Sequence, residues 1–228
     1  MDAQSLQPAY VLHTRRYGDS SLIADLFVRE QGRVACIAKG VLRARRADTR
    51  IQPFQPLLVD VRGRSEVLTL ARAEPAGAAL QLLGRGLYCG LYLNELLLKL
   101  TPRQDAYPAL FDDYALAIQA MQAGGQLEPV LRHFEVRLLE HLGLGLVLEH
   151  DYRGQPVVAE RRYIYDVGAG PQQCIGDEPT AIHGRTLLAL RSGELADRAS
   201  LREARELMRR VLHHHLDGRP LRSRELFR

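Results

Sequence analysis

The segment AYVLHTRRYGDSSLIADLFV, residues 9–28, contains two short apolar stretches separated by a turn. Residues 9–14 and 21–28 are alternating or rich in β-branched and other apolar side chains, which is typical of β-strands. Gly18 and Asp19 between them are residue types that tight turns favour. The segment therefore predicts a β-hairpin near the start of the chain.

Three more strands are predicted after this hairpin, at residues 33–39, 57–62 and 66–72, with glycines at their breaks. Five short strands within about 70 residues indicate a small closed barrel, and a five-stranded OB barrel is the common type of this size. An SH3-like barrel is the alternative, because periodicity does not separate the two.

The pattern changes after residues 73–78 from a period of two to a period of about 3.6. Helices are predicted at residues 87–100, 105–121, 129–145 and 180–191, and from Ser200 to Gly218. The last has a capping box, Ser200-x-x-Glu203, at its start. The first is apolar nearly all round, which is typical of a helix at the centre of a bundle.

These patterns predict an α+β multidomain protein. Residues 1–79 are predicted to form a five-stranded OB-fold barrel, and residues 80–228 an all-helical bundle domain. Residues 150–178 are rich in glycine and proline, and we expect them to form a small irregular insertion with a short hairpin.

Composition places the chain among ordinary globular proteins, with 46% hydrophobic and 25% charged residues in 228. No apolar run approaches the roughly 18 residues of a membrane span, and the first ten residues do not resemble a signal peptide. The three cysteines are odd in number and far apart, which argues against a disulfide framework. We therefore expect a cytoplasmic protein with no membrane partner.

Positive charge is concentrated near the start of the chain. Residues 1–80 contain 12 Lys and Arg against 8 Asp and Glu, whereas residues 81–228 contain 19 of each. The whole formal excess of +4 therefore lies in the predicted barrel. A local positive field favours polyanionic partners such as nucleic acid or acidic peptide tails.

Catalytic and metal-binding motifs are not found in the sequence. It has no Gly-x-x-x-x-Gly-Lys-Ser/Thr loop for nucleotide phosphates and no Cys-x-x-Cys pair. His213, His214 and His215 are consecutive, so on a helix they point about 100° apart and do not share a face. The sequence thus favours a binding protein over an enzyme, with no catalytic residue, cofactor or metal expected.

Five segments, spread from residue 9 to residue 228, carry a resemblance to a known family. They are AYVLHTRRYGDSSLIADLF, GRVACIAKG, QPFQPLLVDVRGRSEVLTLARAE, LYCGLYLNELLLKL and GRPLRSRELFR. In this order the set resembles the bacterial recombination mediator family RecO, in its proteobacterial form. Some members carry a four-cysteine zinc module in the region that matches residues 150–178. This sequence has only Cys174 there, so no metal is carried over.

The resemblance implies an OB fold joined to a helical domain, and a role in DNA repair and recombination without cofactor or nucleotide hydrolysis. Members bind single- and double-stranded DNA and anneal complementary strands. In the RecFOR pathway they act with RecR to help load RecA onto DNA coated by single-strand-binding protein (SSB). A cytoplasmic, nucleoid-associated protein is implied.

Cationic side chains of the barrel are the candidate DNA-binding residues, because a guanidinium group grips phosphate oxygens and stacks on bases. The set is Arg15, Arg16, Arg33, Lys39, Arg43, Arg45, Arg46, Arg50, Arg62 and Arg64. Several lie in the arginine-rich segment of residues 38–54. Tyr10, Tyr17 and Phe54 are the nearest aromatic residues, and they either stack on bases or belong to the barrel core.

The helical domain has candidate residues for a second ligand. The resemblance implies that the acidic, apolar-ended C-terminal tail of SSB binds this family, which requires a cation beside an apolar groove. The candidates are Arg132, Phe134, Val136, Arg137, Leu139, Arg202 and Arg205. The alternative is that these are ordinary charges and apolar residues of amphipathic bundle helices. Residues 218–228 are expected to pack their apolar side chains back onto the protein.

Two other functions stay open at this point. One is an OB-fold RNA-binding protein of translation or tRNA handling. The other is an enzyme whose active site lies in the helical domain and has no recognisable motif.

Overall fold

A computed structural model describes residues 6–41, 51–176 and 178–227. The chain forms two compact units. The first runs to Ala123 and includes the C-terminal residues from Leu221, and the second is Gly124–Pro220.

The first unit begins with a closed five-stranded barrel. Its strands are β1 (Gln7–Tyr17), β2 (Ser21–Val28), β3 (Gly32–Ala38), β4 (Pro56–Arg62) and β5 (Val67–Pro75). They follow the order β1-β2-β3-β5-β4, and β4 pairs with β1 to close the barrel. Only the β3–β5 pair is parallel among these five strands. This topology confirms the predicted five-stranded OB-type barrel.

Alternate residues of each strand fill the barrel interior, because side chains along a strand point to opposite faces. Twelve buried residues form this core: Ala9, Val11, Ala24, Leu26, Val28, Val34, Cys36, Ile51, Leu57, Val59, Val61 and Leu68. The apolar positions of the predicted strands therefore make the interior of the barrel.

A β-bulge interrupts β1 at Leu12. Val11 is paired with Leu26 and His13 with Asp25, so Leu12 has no partner of its own in the register with β2. A bulge adds one residue to one strand and reverses the faces of the residues that follow. Arg15 is consequently opposite Ile23, which is buried but does not belong to the cluster inside the barrel.

Two helices complete the first unit together with a C-terminal 3-10 turn. They are α1 (Gly84–Leu100) and α2 (Pro108–Gln122), and the turn is Arg222–Phe227. The turn is tied to α1, since the carboxylate of Glu95 accepts hydrogen bonds from the backbone N–H groups of Arg222 and Ser223 and from the Ser223 hydroxyl. Leu221 is buried just before it. Part of the C-terminal segment therefore packs back onto the protein.

Close contacts join the barrel to these helices. Gly32, at the start of β3, has a positive φ of 68°, and a Cβ there would lie 1.7 Å from the backbone oxygen of Asp105. Arg29 forms an ion pair with Asp112 of α2. Packing thus groups α1 and α2 with the barrel, and the first unit extends to Ala123. The domain boundary expected from the sequence lies earlier, between residues 79 and 80.

The second unit contains three helices and a small sheet. The helices are α3 (Leu127–His141), α4 (Gly184–Ser192) and α5 (Arg198–His215), and α3 packs against both others. Strands β6 (Arg162–Asp166), β7 (Gly170–Gln173) and β8 (Ile182–His183) form an antiparallel sheet in the order β7-β6-β8. The β6–β7 hairpin lies in the region predicted as an irregular insertion with a short hairpin.

Helix α5 begins at Arg198, two residues before the predicted start, and its N-cap lies three residues before the predicted cap. Its N-cap is Asp197, whose side chain accepts a hydrogen bond from the backbone N–H of Ser200. The predicted capping box at Ser200 is therefore wrong. Glu203 does not turn back to cap the helix, because its carboxylate accepts from the backbone N–H of His183 and from the hydroxyl of Thr186.

No helix in the described part of the chain is both long enough and apolar enough to cross a bilayer.

Candidate nucleic-acid interface

The end of β1 presents three exposed residues in succession: Arg15, Arg16 and Tyr17. Strand pairing holds them in place, since Arg15 is opposite Ile23 and Tyr17 opposite Ser21. Neither arginine has an acidic partner among the residues that the structure describes. Two exposed guanidinium groups and an aromatic ring 53% exposed therefore lie on one hairpin.

A row of paired residues runs across the barrel from this hairpin. Arg15 is opposite Ile23, Ile23 is opposite Ile37, Ile37 is opposite Thr69, and Thr69 is opposite Arg62. Ile23, Ile37, Thr69 and Arg62 each adjoin a core residue along their strands, and Arg15 pairs with Ile23, so the row lies on the outer face of β1, β2, β3, β5 and β4. Ile23 is buried within the row. At about 4.8 Å between strands, four steps separate Arg15 from Arg62 by about 19 Å along the curved sheet. We call this strip, with Tyr17, the cationic row.

Arg62, at the far end of the cationic row, forms an ion pair with Asp60. The Arg62 guanidinium donates to one carboxylate oxygen of Asp60, from Nε at 2.9 Å and from Nη2 at 2.6 Å. These hydrogen bonds and the charge of Asp60 raise the pKa of Arg62. Asp60 is buried whereas the Arg62 side chain is 64% exposed, so the arginine is held in place and still accessible. Arg64 in the following turn is exposed.

Arg33 has a structural role in the first unit. Its guanidinium donates twice to the backbone oxygen of Thr101, at 2.9 and 3.2 Å, and so satisfies a carbonyl at the C-terminal end of α1. Burial and the neighbouring charge of Arg103 lower the pKa of Arg33. Arg33 is half-buried and far less available to a polyanion than Arg15.

The remaining predicted DNA-binding residues belong to the segment after β3. Lys39 is exposed immediately after the strand. Arg43, Arg45, Arg46 and Arg50 lie outside the described residues.

Only one of the three candidate stacking residues is accessible. Tyr10 packs against Phe111 and Tyr114 with ring centroids 5.4 and 5.2 Å apart, and burial raises its pKa. Phe54 is also buried, with its ring against Gly90. Tyr10 and Phe54 are therefore core residues, and Tyr17 is the exposed aromatic of the set.

Asn94 is a polar residue of this unit whose importance the sequence interpretation missed. Its side-chain amide donates to the backbone oxygen of Leu12 at 3.0 Å and accepts from the Tyr114 hydroxyl at 2.7 Å. One signal was present in the sequence, because a single amide in a helix that is apolar nearly all round requires buried partners.

Most candidates for the tail site in the second unit are buried. Arg132 is 6% exposed and forms an ion pair of 2.7 Å with Glu135, which is 1% exposed. Phe134, Val136 and Leu139 are core residues. A ligand at the surface does not reach these four candidates in this conformation, since α3 turns them toward the packed interior.

The other three tail candidates are accessible to different degrees. Arg137 is half-buried and paired with Glu140. Arg202 and Arg205 are exposed on α5, and Arg205 lies 3.5 Å from a carboxylate oxygen of Glu128.

An open groove of about 400 Å³ is lined by residues on both sides of Glu128 in the sequence, Gln126 and Pro129 among them. Its lining is mainly apolar, from the start of α3 and the α4–α5 connection. The lining residues are Gln126, Pro129, Val130, Gly193, Glu194, Leu195 and Ala196.

Within the described residues, no group of three or more His, Cys, Asp and Glu side chains is placed to hold a metal ion. His213 and His214 are exposed in the last turn of α5, where a positive charge is favourable near the negative end of the helix dipole.

Comparison with known proteins identifies the family. Residues 1–79 match the family model "Recombination protein O N terminal", and residues 84–225 match "Recombination protein O C terminal". The chain is 46% identical to the DNA repair protein RecO of Methylococcus capsulatus, covering 98% of this chain and 93% of that protein. It is 46% identical to the RecO of Stutzerimonas stutzeri (97% and 92% covered) and 44% identical to that of Halorhodospira halophila (100% and 98% covered). This chain therefore belongs to the RecO family of DNA repair proteins.

Proposed function

We propose that the chain is a non-enzymatic recombination mediator that binds single- and double-stranded DNA and anneals complementary strands. With RecR it helps to load RecA onto single-stranded DNA coated by SSB, in the bacterial cytoplasm and in association with the nucleoid. The observation that carries this proposal is the cationic row. It offers two accessible arginines, Arg15 and Arg62, at its ends and an exposed ring, Tyr17, beside it.

The chemistry of this surface suits annealing. Two polyanionic strands repel each other, so a protein that brings them together must neutralise phosphates. It must also leave base edges free to pair, which a base-specific pocket would prevent. Between Arg15 and Arg62 the row contains Ile23, which is buried, and then Ile37 and Thr69. None of the three carries a charge or the planar groups that read base edges bidentately.

Annealing of complementary oligonucleotides tests the proposal directly. The full chain is added without ATP to bare strands and to strands coated with SSB, and duplex formation is followed by fluorescence quenching. We expect duplex formation faster than the spontaneous rate on both substrates. No acceleration on either would contradict the proposal. A tighter interaction with structured RNA than with single-stranded DNA would instead favour an RNA-binding function.

For the SSB tail we propose the groove beside Pro129 and Leu195, with Arg202 and Arg205 as the cations. Its lining is mainly apolar, and the exposed Arg205 lies 3.5 Å from Glu128, which directly precedes the lining residue Pro129. An acidic peptide with an apolar end requires such an apolar groove with cations nearby. This site keeps the two exposed α5 candidates and replaces the buried ones of α3.

Titration of a labelled tail peptide tests this site. Arg205→Ala and Val130→Glu are expected to weaken peptide binding, because the first removes a cation and the second places an acid in the apolar lining. Arg137→Ala is the control, since that arginine is half-buried, paired with Glu140 and not part of the groove lining. Equal affinity for all three variants and the unaltered chain would exclude the groove.

A further inference from the structure

Asn94 links three elements of the first unit through its buried amide. The residue lies on α1 and is 2% exposed. Its nitrogen donates to the backbone oxygen of Leu12 on β1, and its oxygen accepts from the hydroxyl of Tyr114 on α2. Burying an amide is unfavourable unless both ends find partners, so this arrangement fixes the orientation of the group.

The carbonyl that Asn94 contacts belongs to the extra residue of the β-bulge. Leu12 is itself 2% exposed, and the pairing of β1 with β2 steps over it between Val11 and His13. A bulged residue does not take part in the regular ladder, and its buried backbone groups need other partners. Asn94 supplies a donor to the carbonyl at this point.

The bulge decides which side chains of β1 face outward. Ala9 and Val11 point into the barrel core, so on an uninterrupted strand Arg15 and Tyr17 would point the same way. The extra residue reverses this alternation and puts Arg15 opposite Ile23, on the outer face. Without the bulge, Arg15 and Tyr17 would face inward and Arg16 would take the outward position, so the hairpin end of the cationic row would present different side chains.

We propose that Asn94 is a positioning residue for nucleic-acid binding: it holds the bulge at Leu12 and so fixes the outward face of the β1–β2 hairpin. This role rests on the proposed function, because the hairpin is one end of the cationic row. Tyr114 supports it by holding the amide oxygen, which leaves the amide nitrogen directed at Leu12.

The first test compares two variants of the full chain by amide NMR. Asn94→Leu removes both hydrogen bonds, whereas Ile118→Val removes a buried methyl group from α2 and leaves both hydrogen bonds of Asn94 in place. We expect the amide signals of residues 13–17 and 21–25 to shift and exchange faster in Asn94→Leu only. Unchanged hairpin signals in a folded Asn94→Leu protein would overturn the proposal.

A second variant keeps the proposal testable if Asn94→Leu does not fold. In Asn94→Asp, a carboxylate still accepts from Tyr114, but only the protonated acid donates to the Leu12 carbonyl. Burial raises the pKa of a carboxyl group, so the hairpin signals should return toward those of the unaltered chain as pH falls through that pKa. The unaltered chain at each pH is the control. Hairpin signals that never approach the control at low pH would overturn the proposal.

Binding of labelled single-stranded DNA completes the test. Relative to Ile118→Val, we expect Asn94→Leu to bind about tenfold more weakly, since misplacing Tyr17 removes a stacking platform. Altered hairpin signals with affinity equal to that of Ile118→Val would exclude a positioning role. If the unaltered chain binds no DNA, the proposed function fails, whereas the spectra still report whether Asn94 holds the bulge.

Discussion

Removing the two arginines of the β1–β2 hairpin should lower the salt dependence of DNA binding by a definite amount. Each phosphate contact on a single strand contributes about 0.7 to the slope of log K against log salt. Arg15 and Arg16 are exposed and have no acidic partner among the described residues, so both are available for phosphate. The double variant Arg15→Ala/Arg16→Ala should therefore reduce the magnitude of the slope by about 1.4.

The same reasoning gives different expectations for the other cations. Arg62 already shares its charge with Asp60 at 2.6 Å, so Arg62→Ala should reduce the slope by less than about 0.7. Arg33 donates to the Thr101 carbonyl, and Arg33→Ala should lower stability while leaving the slope unchanged. For the triple variant Arg43→Ala/Arg45→Ala/Arg46→Ala, the sequence predicts that the magnitude of the slope falls by about two.

Fluorescence anisotropy of a labelled oligo(dT), measured between about 50 and 200 mM salt, gives these slopes. Arg85→Ala is the matched control, because it removes one exposed positive charge from α1 and none from the barrel. A double variant whose slope equals that of the Arg85→Ala control would refute the assignment of the hairpin as a phosphate-binding element.

Three further outcomes follow from packing and hydrogen bonding. Gly32→Ala should destabilise the chain by more than about 2 kcal/mol in urea unfolding, because a Cβ clashes with the α1–α2 connection and φ is positive; unfolding at the same urea concentration as the unaltered chain would contradict this. Arg132→Ala should cost about 3–5 kcal/mol, since it leaves Glu135 buried without that cation, whereas Arg132→Met combined with Glu135→Leu should cost far less. Equal losses would exclude this explanation. Burial raises the pKa of Glu95, but the hydrogen bonds from Ser223 and its neighbour outweigh burial and leave that pKa below 4.5. The C-terminal turn should therefore stay docked at neutral pH and become susceptible to proteolysis as pH falls through this lowered pKa, a step that Glu95→Gln should abolish.

Sequence patterns predicted the element types well because those depend on local periodicity. Most strands and helices occur where alternation and a period of about 3.6 placed them, and the barrel core consists of alternating apolar residues. Residues 182–183 are an exception, since they were predicted to be helical and form β8. The ends of elements were less predictable. The first strand continues through Arg15 and Arg16 to Tyr17, because pairing with β2 holds these residues extended without an apolar pattern. The N-cap of helix α5 is Asp197, and not Ser200 as the sequence pattern suggested.

The candidate sites were predicted by residue type, and their accessibility depended on packing. Periodicity places Arg132 beside leucines on α3, but it does not say whether the arginine lies at the edge of the apolar stripe or beneath it. The packing of α3 against α4 and α5 buries it with Glu135. In the same way, the sequence does not distinguish Arg33 from Arg15 as a barrel cation. The structure does, because Arg33 donates hydrogen bonds to the Thr101 carbonyl at the end of α1.

By itself, the sequence determined a basic five-stranded barrel, a helical region and membership of a DNA repair family, because these rest on local patterns and ordered motifs. The tertiary structure decided which cations share a surface. Arg15 and Arg62 are 47 residues apart in the chain, and strand register brings them to the two ends of one row. That register depends on one extra residue, Leu12, whose carbonyl is bound by an amide 82 residues away. Such a contact exists only when the helix has packed against the barrel, so no local pattern encodes it.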